Sequence, residues 1–215
     1  MVSRKHTTIK RKVKNWTAAD SAELYCVDAW SNGYFGVSRN GEVTVNLVDT
    51  DGETRPVSLH TIMKGLAERG TDAPVLLRFR DLLRARIDEL NLSFIKAIKE
   101  ADYKGVYRGV YPVKVNQQRE IVEEIVSYGA RYHYGLEAGS KPELIAAMAQ
   151  MKDPQAFLMC NGYKDDEFID LALMAQRMGI NICLILEMPN ELPAILERAQ
   201  TGYRPQPRRA SASGS

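Results

Sequence analysis

Residues 107–139 read YRGVYPVKVNQQREIVEEIVSYGARYHYGLEAG, and this stretch decides the fold. An apolar run at 107–115 leads into Lys114-Val115-Asn116. A helical pattern follows at 117–129, and a second apolar run at 132–137 ends in Glu137. The same order continues downstream. A helix is predicted at 141–150, a strand at 156–160 (AFLMC), a helix at 165–178, a strand at 182–187 (ICLILE) and a helix at about 190–200. Strand starts lie roughly 25 residues apart, the scale of successive βα units with short loops. Each strand is a continuous apolar run, as in parallel strands covered on both faces. Ser140 with Glu143 reads as a capping box, and Pro142 falls in the first turn, where its missing N–H costs nothing. Asp165 or Asp166 can cap the next helix, and Gly179 suits a left-handed exit from it.

Four βα units are either half of an eight-stranded barrel or part of an open doubly wound sheet. A full barrel needs about 250 residues. A barrel halted halfway would expose two parallel edges. Val113, Leu158 and Leu184, read as inward-facing, would then lack an opposite wall, and the chain would be poorly soluble or dependent on a partner.

Upstream, residues 15–60 read as short strands and turns. LYCVDAW (24–30), GYFGVSRNGEVTVNLVDTDGE (33–53) and VSLHTIM (57–63) carry β-branched and aromatic residues. Asn40-Gly41 and Asp51-Gly52 are hairpin signals. A short helix is expected at 61–70, a buried strand at 74–79 (PVLLRF) and a helix from Asp81 to about Glu100, where apolar residues recur every three or four positions.

Composition narrows the class. The 215 residues are 45% hydrophobic and 26% charged, which excludes wholesale disorder, collagen and a disulfide scaffold. No apolar stretch approaches the roughly 18 residues of a membrane span, so no membrane role is expected. Three scattered cysteines, Cys26, Cys160 and Cys183, read as free thiols in a reducing compartment, and a cytoplasmic location is expected. The net charge of +2 is unevenly spread. Residues 1–14 hold six Lys/Arg and no acid, and residues 204–215 hold three Arg and no acid. The intervening 15–203 hold 20 Lys/Arg against all 27 acids. The basic start reads as a flexible solvated arm, not a nucleic-acid contact, because no binding module adjoins it. The Pro, Arg and Ser of 204–215 read as a disordered tail. The expected organisation is thus 1–14 arm, 15–73 β-rich region, 74–203 partial βα barrel and 204–215 tail.

Polar residues collect where each predicted strand ends: Lys114 and Asn116, Glu137 to Ser140, Asn161 to Lys164, and Glu187. Both parallel architectures bind ligands at that edge, although strands leaving a core for water often end in polar residues anyway. Lys114 is the most informative. It interrupts an apolar run, and a partly desolvated lysine amine becomes a nucleophile able to capture an aldehyde. Alternatively its stem covers apolar surface while the ammonium reaches water. Gly139-Ser140 opens a helix, an arrangement able to hold an anion. There is no GxGxxG, GxxxxGK[ST] or GxSxG pattern. His6, His60 and His133 are isolated, and His133 is expected to be a hydrogen-bonded residue within a strand.

The blocks YPVKVNQ (111–117), GLEAGSKPEL (135–144) and CNGYKD (160–165), in this order and spacing, resemble the biosynthetic arginine decarboxylases, pyridoxal-phosphate enzymes of the alanine-racemase-like barrel class. The resemblance runs from about Ala22 to Tyr203. It implies an α/β fold, an incomplete (β/α) TIM-type barrel of about the first half, preceded by a small β-rich region. It implies conversion of L-arginine to agmatine and CO2, which feeds polyamine synthesis. Lys114 would be catalytic, holding pyridoxal phosphate as a Schiff base. Glu137 would lie near the cofactor ring, and Ser140 and Asn161 would line its pocket. Magnesium as a second cofactor and a homo-oligomer are implied too. Family members are about three times longer. The remaining strands, a glycine-rich phosphate loop and a C-terminal β domain are not matched here. The chain alone is therefore expected to be inactive and to need a partner subunit or the missing part. The alternative is a non-catalytic fragment, inert or docked on a full-length partner.

Overall fold

Thr17-Ala18-Ala19-Asp20 starts a helix where a strand is expected. In the computed structural model, which describes residues 15–48 and 53–201, Thr17 accepts from the Asp20 N–H, and Asp20 accepts from the Thr17 N–H at 2.8 Å. This reciprocal cap, followed by alanines, launches α1 (Ala18–Leu24). Cys26 takes a left-handed conformation (φ 48°) and separates α1 from α2 (Val27–Ser31). LYCVDAW is thus helical, which corrects the strand reading. Its aromatic residues suit a strand, but no strand pairs with it among the described residues, and the Thr17 cap carries α1 as far as Leu24.

The chain divides into two units, Met1–Leu82 and Leu83–Ser215. In the first, β1 (Phe35–Val37), β2 (Val43–Val48) and β3 (Thr54–Ser58) form an antiparallel sheet in that order. The β1–β2 turn carries Asn40-Gly41, with Gly41 at φ +81°. β2 and β3 pair from Val48↔Thr54 to Thr44↔Ser58, while Asp51-Gly52 lies outside the described residues. α3 (Leu59–Ala67) begins at once, its first turn capped by Ser58. Residues 74–79 do not form the expected buried strand. No strand pairs with them among the described residues, and Leu76 is exposed. An apolar run becomes a strand only where a ladder partner exists.

The second unit opens within α4 (Arg80–Glu100). Its elements are β4 (Val110–Pro112), a 3₁₀ turn (Val113–Val115), α5 (Arg119–Gly129), β5 (Gly135–Ala138), α6 (Lys141–Gln150), β6 (Phe157–Cys160), α7 (Asp166–Arg177), β7 (Asn181–Leu184) and α8 (Glu191–Thr201). The sheet is parallel throughout, in the order β4-β5-β6-β7. The common open doubly wound orders keep at most about three consecutive strands in sequence before reversing. Four in sequence, each crossing over through a helix, are the order of a (β/α) barrel, here in part.

Register sorts the side chains. Tyr111, Leu136, Leu158 and Ile182 form one row across the sheet, with Ala138, Cys160 and Leu184 beyond them. This face packs on Val122 and Val126 of α5, Leu144 and Ala147 of α6, and Phe168 and Ala172 of α7. Leu158 and Leu184 therefore face the helices, and Val113 is buried in the same core. The inward reading of these three is corrected. The opposite face carries Glu137, Phe157, Met159 and Cys183, which are only half-buried. These are the residues without a facing wall in the described chain.

Tyr128 and Tyr132 donate to the Asp88 carboxylate at 2.6 and 2.7 Å and pin α5 and the turn after it to α4. Burial first, then the Asp88 contact, pushes the Tyr132 hydroxyl up to about 12. His133 is not a strand residue. It sits at φ 54° after a 3₁₀ turn, and its Nδ1 lies 2.7 Å from Asp153 Oδ2.

Candidate active site at the strand ends

β4 ends early because its ladder with β5 has three positions, the last being Pro112↔Glu137. The chain then tightens into the 3₁₀ turn, and Lys114 leaves the sheet at the C-terminal edge. Its Nζ lies 3.4 Å from Glu137 Oε1. The Lys114 side chain is 62% exposed and that of Glu137 is 16% exposed. The apolar run around Lys114 therefore does not bury its amine. A long, solvent-facing contact of this kind contributes little to stability. Its effect is positional, because it holds a primary amine at the mouth of the sheet.

Ser140 caps α6, its Oγ accepting from Glu143 N at 3.4 Å. Glu143 reaches back one residue further than a capping box requires and accepts from Gly139 N at 2.8 Å. At α7, Asp165 accepts from Phe168 N at 2.9 Å. The Lys141 ammonium and the Phe168 N–H hold the Asp165 carboxyl below the usual carboxylate range. Side chains of the protein itself thus take donors in both helix starts, and the α6 start is less open to an anion than Gly139-Ser140 implies.

Asn161 is hung on the end of β5 by its backbone, its N donating to Ala138 O at 3.0 Å. Gly162 follows at φ +113°, and a Cβ there would stand 2.7 Å from Gly139 O. Only glycine combines that conformation with that approach. The structure thus brings Lys114 and Glu137 into contact and sets Ser140 and Asn161 on the same edge.

Sequence reasoning missed a second lysine in functional terms. Lys164 lies within the CNGYKD block, yet its side chain is 0% exposed and that of Glu191 is 1% exposed, with Lys164 Nζ 3.1 Å from Glu191 Oε2. Burial raises the Glu191 carboxyl, but the Glu187 and Lys164 N–H groups and the Lys164 ammonium more than offset it, so it stays below its ordinary value. Apolar periodicity gives no sign of such a pair. The available signal is a lysine two residues after a strand-end glycine and a glutamate opening α8, one βα step further on.

Chemically, the edge offers a solvent-reachable amine, an adjacent carboxylate and a close crossing of two glycine backbones. An aldehyde-bearing group fits the amine. Donors for a phosphate are not supplied by the α6 or α7 caps described above.

Comparison with known proteins agrees with this reading. Residues 88–205 match the family described as pyridoxal-dependent decarboxylase, pyridoxal binding domain. The biosynthetic arginine decarboxylase of Gloeobacter violaceus is 47% identical over 195 residues, which is 90% of this chain and 30% of that protein. That of Rhodopirellula baltica is 47% identical over 191 residues, 88% of this chain and 28% of that protein. The crystal structure of the biosynthetic arginine decarboxylase of Campylobacter jejuni superimposes with a TM-score of 0.75 at 40% identity, covering 85% of this chain and 30% of that one. The chain spans about 30% of the length of these relatives. With the family pattern covering more than half of its residues, the chain belongs to the pyridoxal-dependent decarboxylases.

Proposed function

We propose that this chain carries the lysine-bearing side of a pyridoxal-phosphate site in an arginine decarboxylase that converts L-arginine to agmatine and CO2 for polyamine synthesis. The observation that carries the reading is the Lys114 amine, reachable from solvent at the C-terminal edge of a parallel sheet and 3.4 Å from Glu137. When bound, pyridoxal phosphate supplies an aldehyde for an amine and a sink for the electrons left as a carboxylate departs. The chain's own residues do the rest. Lys114 holds the group through Nζ. Glu137 accepts from that amine and keeps it at the rim. Ser140 and Asn161 line the pocket.

The donors for the phosphate, and the wall facing Glu137, belong to the remaining length of a protein like the relatives, or to a partner subunit of a homo-oligomer. For magnesium, no cluster of three or more His, Cys, Asp or Glu is present among the described residues. No described helix is long and apolar enough to cross a membrane. The three cysteines form no disulfide, and they support the cytoplasmic location we propose. A second reading, an inert fragment or one that docks on a full-length partner, is favoured by the half-buried face of Phe157, Met159 and Cys183.

The test is to mix the purified chain with pyridoxal phosphate and follow absorbance, then fix the adduct with borohydride and map it. The expected result is one label on Lys114, lost in Lys114→Ala. Equal labelling of Lys114→Ala refutes a specific site. No agmatine is expected from arginine with this chain alone, and release abolished by Lys114→Ala would show a complete site.

A further inference from the structure

We infer that Lys164 and Glu191 are positioning residues for the strand-end mouth. Their buried pair holds the Gly162 peptide in the one arrangement that sets Asn161 and Glu137 on the rim with Lys114. The link to Lys114 rests on the proposed aldehyde site; the locking of the loops does not.

A fully buried ion pair is a poor device for stability alone, because apolar residues of the same size commonly serve as well or better. Its distinctive capacity is to bind backbone groups that have no ladder partner. Lys164 Nζ donates to Gly162 O. Glu191 Oε1 accepts from Lys164 N at 3.1 Å, and Oε2 accepts from Glu187 N at 2.9 Å. One carboxylate thus ties the loop after β6 to the loop after β7. Gly162 is held from its other side too, its N donating to Glu187 Oε1 at 2.7 Å.

From Gly162 the contact continues to Gly139, where the approach leaves no room for a Cβ. Gly139 lies two residues after Glu137, the partner of Lys114. The chain of direct contacts therefore runs Glu191, Lys164, Gly162, Gly139 across the ends of β7, β6 and β5. Lys164 is no second aldehyde-capturing amine, since none of its side chain reaches solvent. It acts through Gly162.

The experiment uses the full chain with Lys164→Met/Glu191→Met, which removes both charges and keeps the volume. Its melt should stay cooperative, although it falls because the Lys164 and Glu187 N–H groups and the Gly162 carbonyl lose their partners. Two other readouts should change. Amide exchange at Gly162 and Glu187 should accelerate about tenfold, and the apparent Kd for pyridoxal phosphate should rise about tenfold, the scale of one positioned hydrogen bond. The label should stay on Lys114. Unchanged exchange or unchanged affinity in the well-folded double variant overturns the inference and leaves a purely structural pair. If the parent itself fails to capture pyridoxal phosphate on Lys114, the proposed function fails, and exchange alone then decides whether the pair locks the loops. If the double variant does not melt cooperatively, Glu191→Gln, which keeps the shape and one acceptor, carries the same readouts.

Discussion

Cys160 and Lys164 lie four residues apart and show how burial assigns different tasks to two nucleophiles. The Cys160 side chain is fully enclosed in the core under α6 and α7, and burial pushes its thiol up to about 12. Almost no thiolate exists at neutral pH, and the sulfur is unreachable. Iodoacetamide at pH 8 on the folded chain should therefore label the exposed Cys26 and spare Cys160, read by peptide mass spectrometry. Rapid labelling of Cys160 before unfolding would contradict the placement. Lys164 is enclosed against Glu191, and Lys114 is reachable because it faces solvent. The sequence marks all three as polar or reactive groups near strand ends, but it does not say which is dry. That depends on where neighbouring helices come to rest, which no local spacing encodes. The blocks mark Lys114 and Glu137 as strand-end groups, which is where the sheet places them; nothing in the sequence marks the enclosure of Lys164 by Glu191.

The helices of the second unit begin within about two residues of where apolar spacing and caps place them, because Ser140, Pro142 and Asp165 act locally. Two other elements were misread for one reason. Residues 24–30 and 74–79 have strand-like composition, but neither has a partner strand among the described residues. The face of each strand was also hidden, since a continuous apolar run has no alternation to read. Register supplies it, and a paired substitution tests it. Leu158→Ala removes a side chain packed under three helices and should cost about 2–5 kcal/mol. Met159→Ala, on the half-buried opposite face, should cost well under half of that, measured by urea unfolding. Equal losses would contradict this assignment, and a larger loss at Met159 would mean that the two faces are reversed.

For the molecule as a whole, carboxylates set the acid limit. Asp165 is lowered chiefly by Lys141 and the Phe168 N–H. Asp153 and Glu191 are raised by burial but lowered more by the N–H groups and cations around them. A carboxyl held below its unfolded value stabilises the fold above that value, and the contribution disappears as pH falls through the lowered one. The melting temperature of the second unit should therefore be nearly flat from about pH 7 to 5 and drop below about pH 4. An unchanged melt at pH 3 would show that these groups carry no such weight.

The uninterrupted β4-β5-β6-β7 order has a consequence for how the chain reaches its shape. After β4, every new parallel strand is laid against the one made just before it, so β5, β6 and β7 each emerge to a partner already released. Growth of the sheet can keep pace with translation, each helix closing over its own seam as it emerges. A nascent chain stalled after β6 should thus already shield the amides of β5 from exchange.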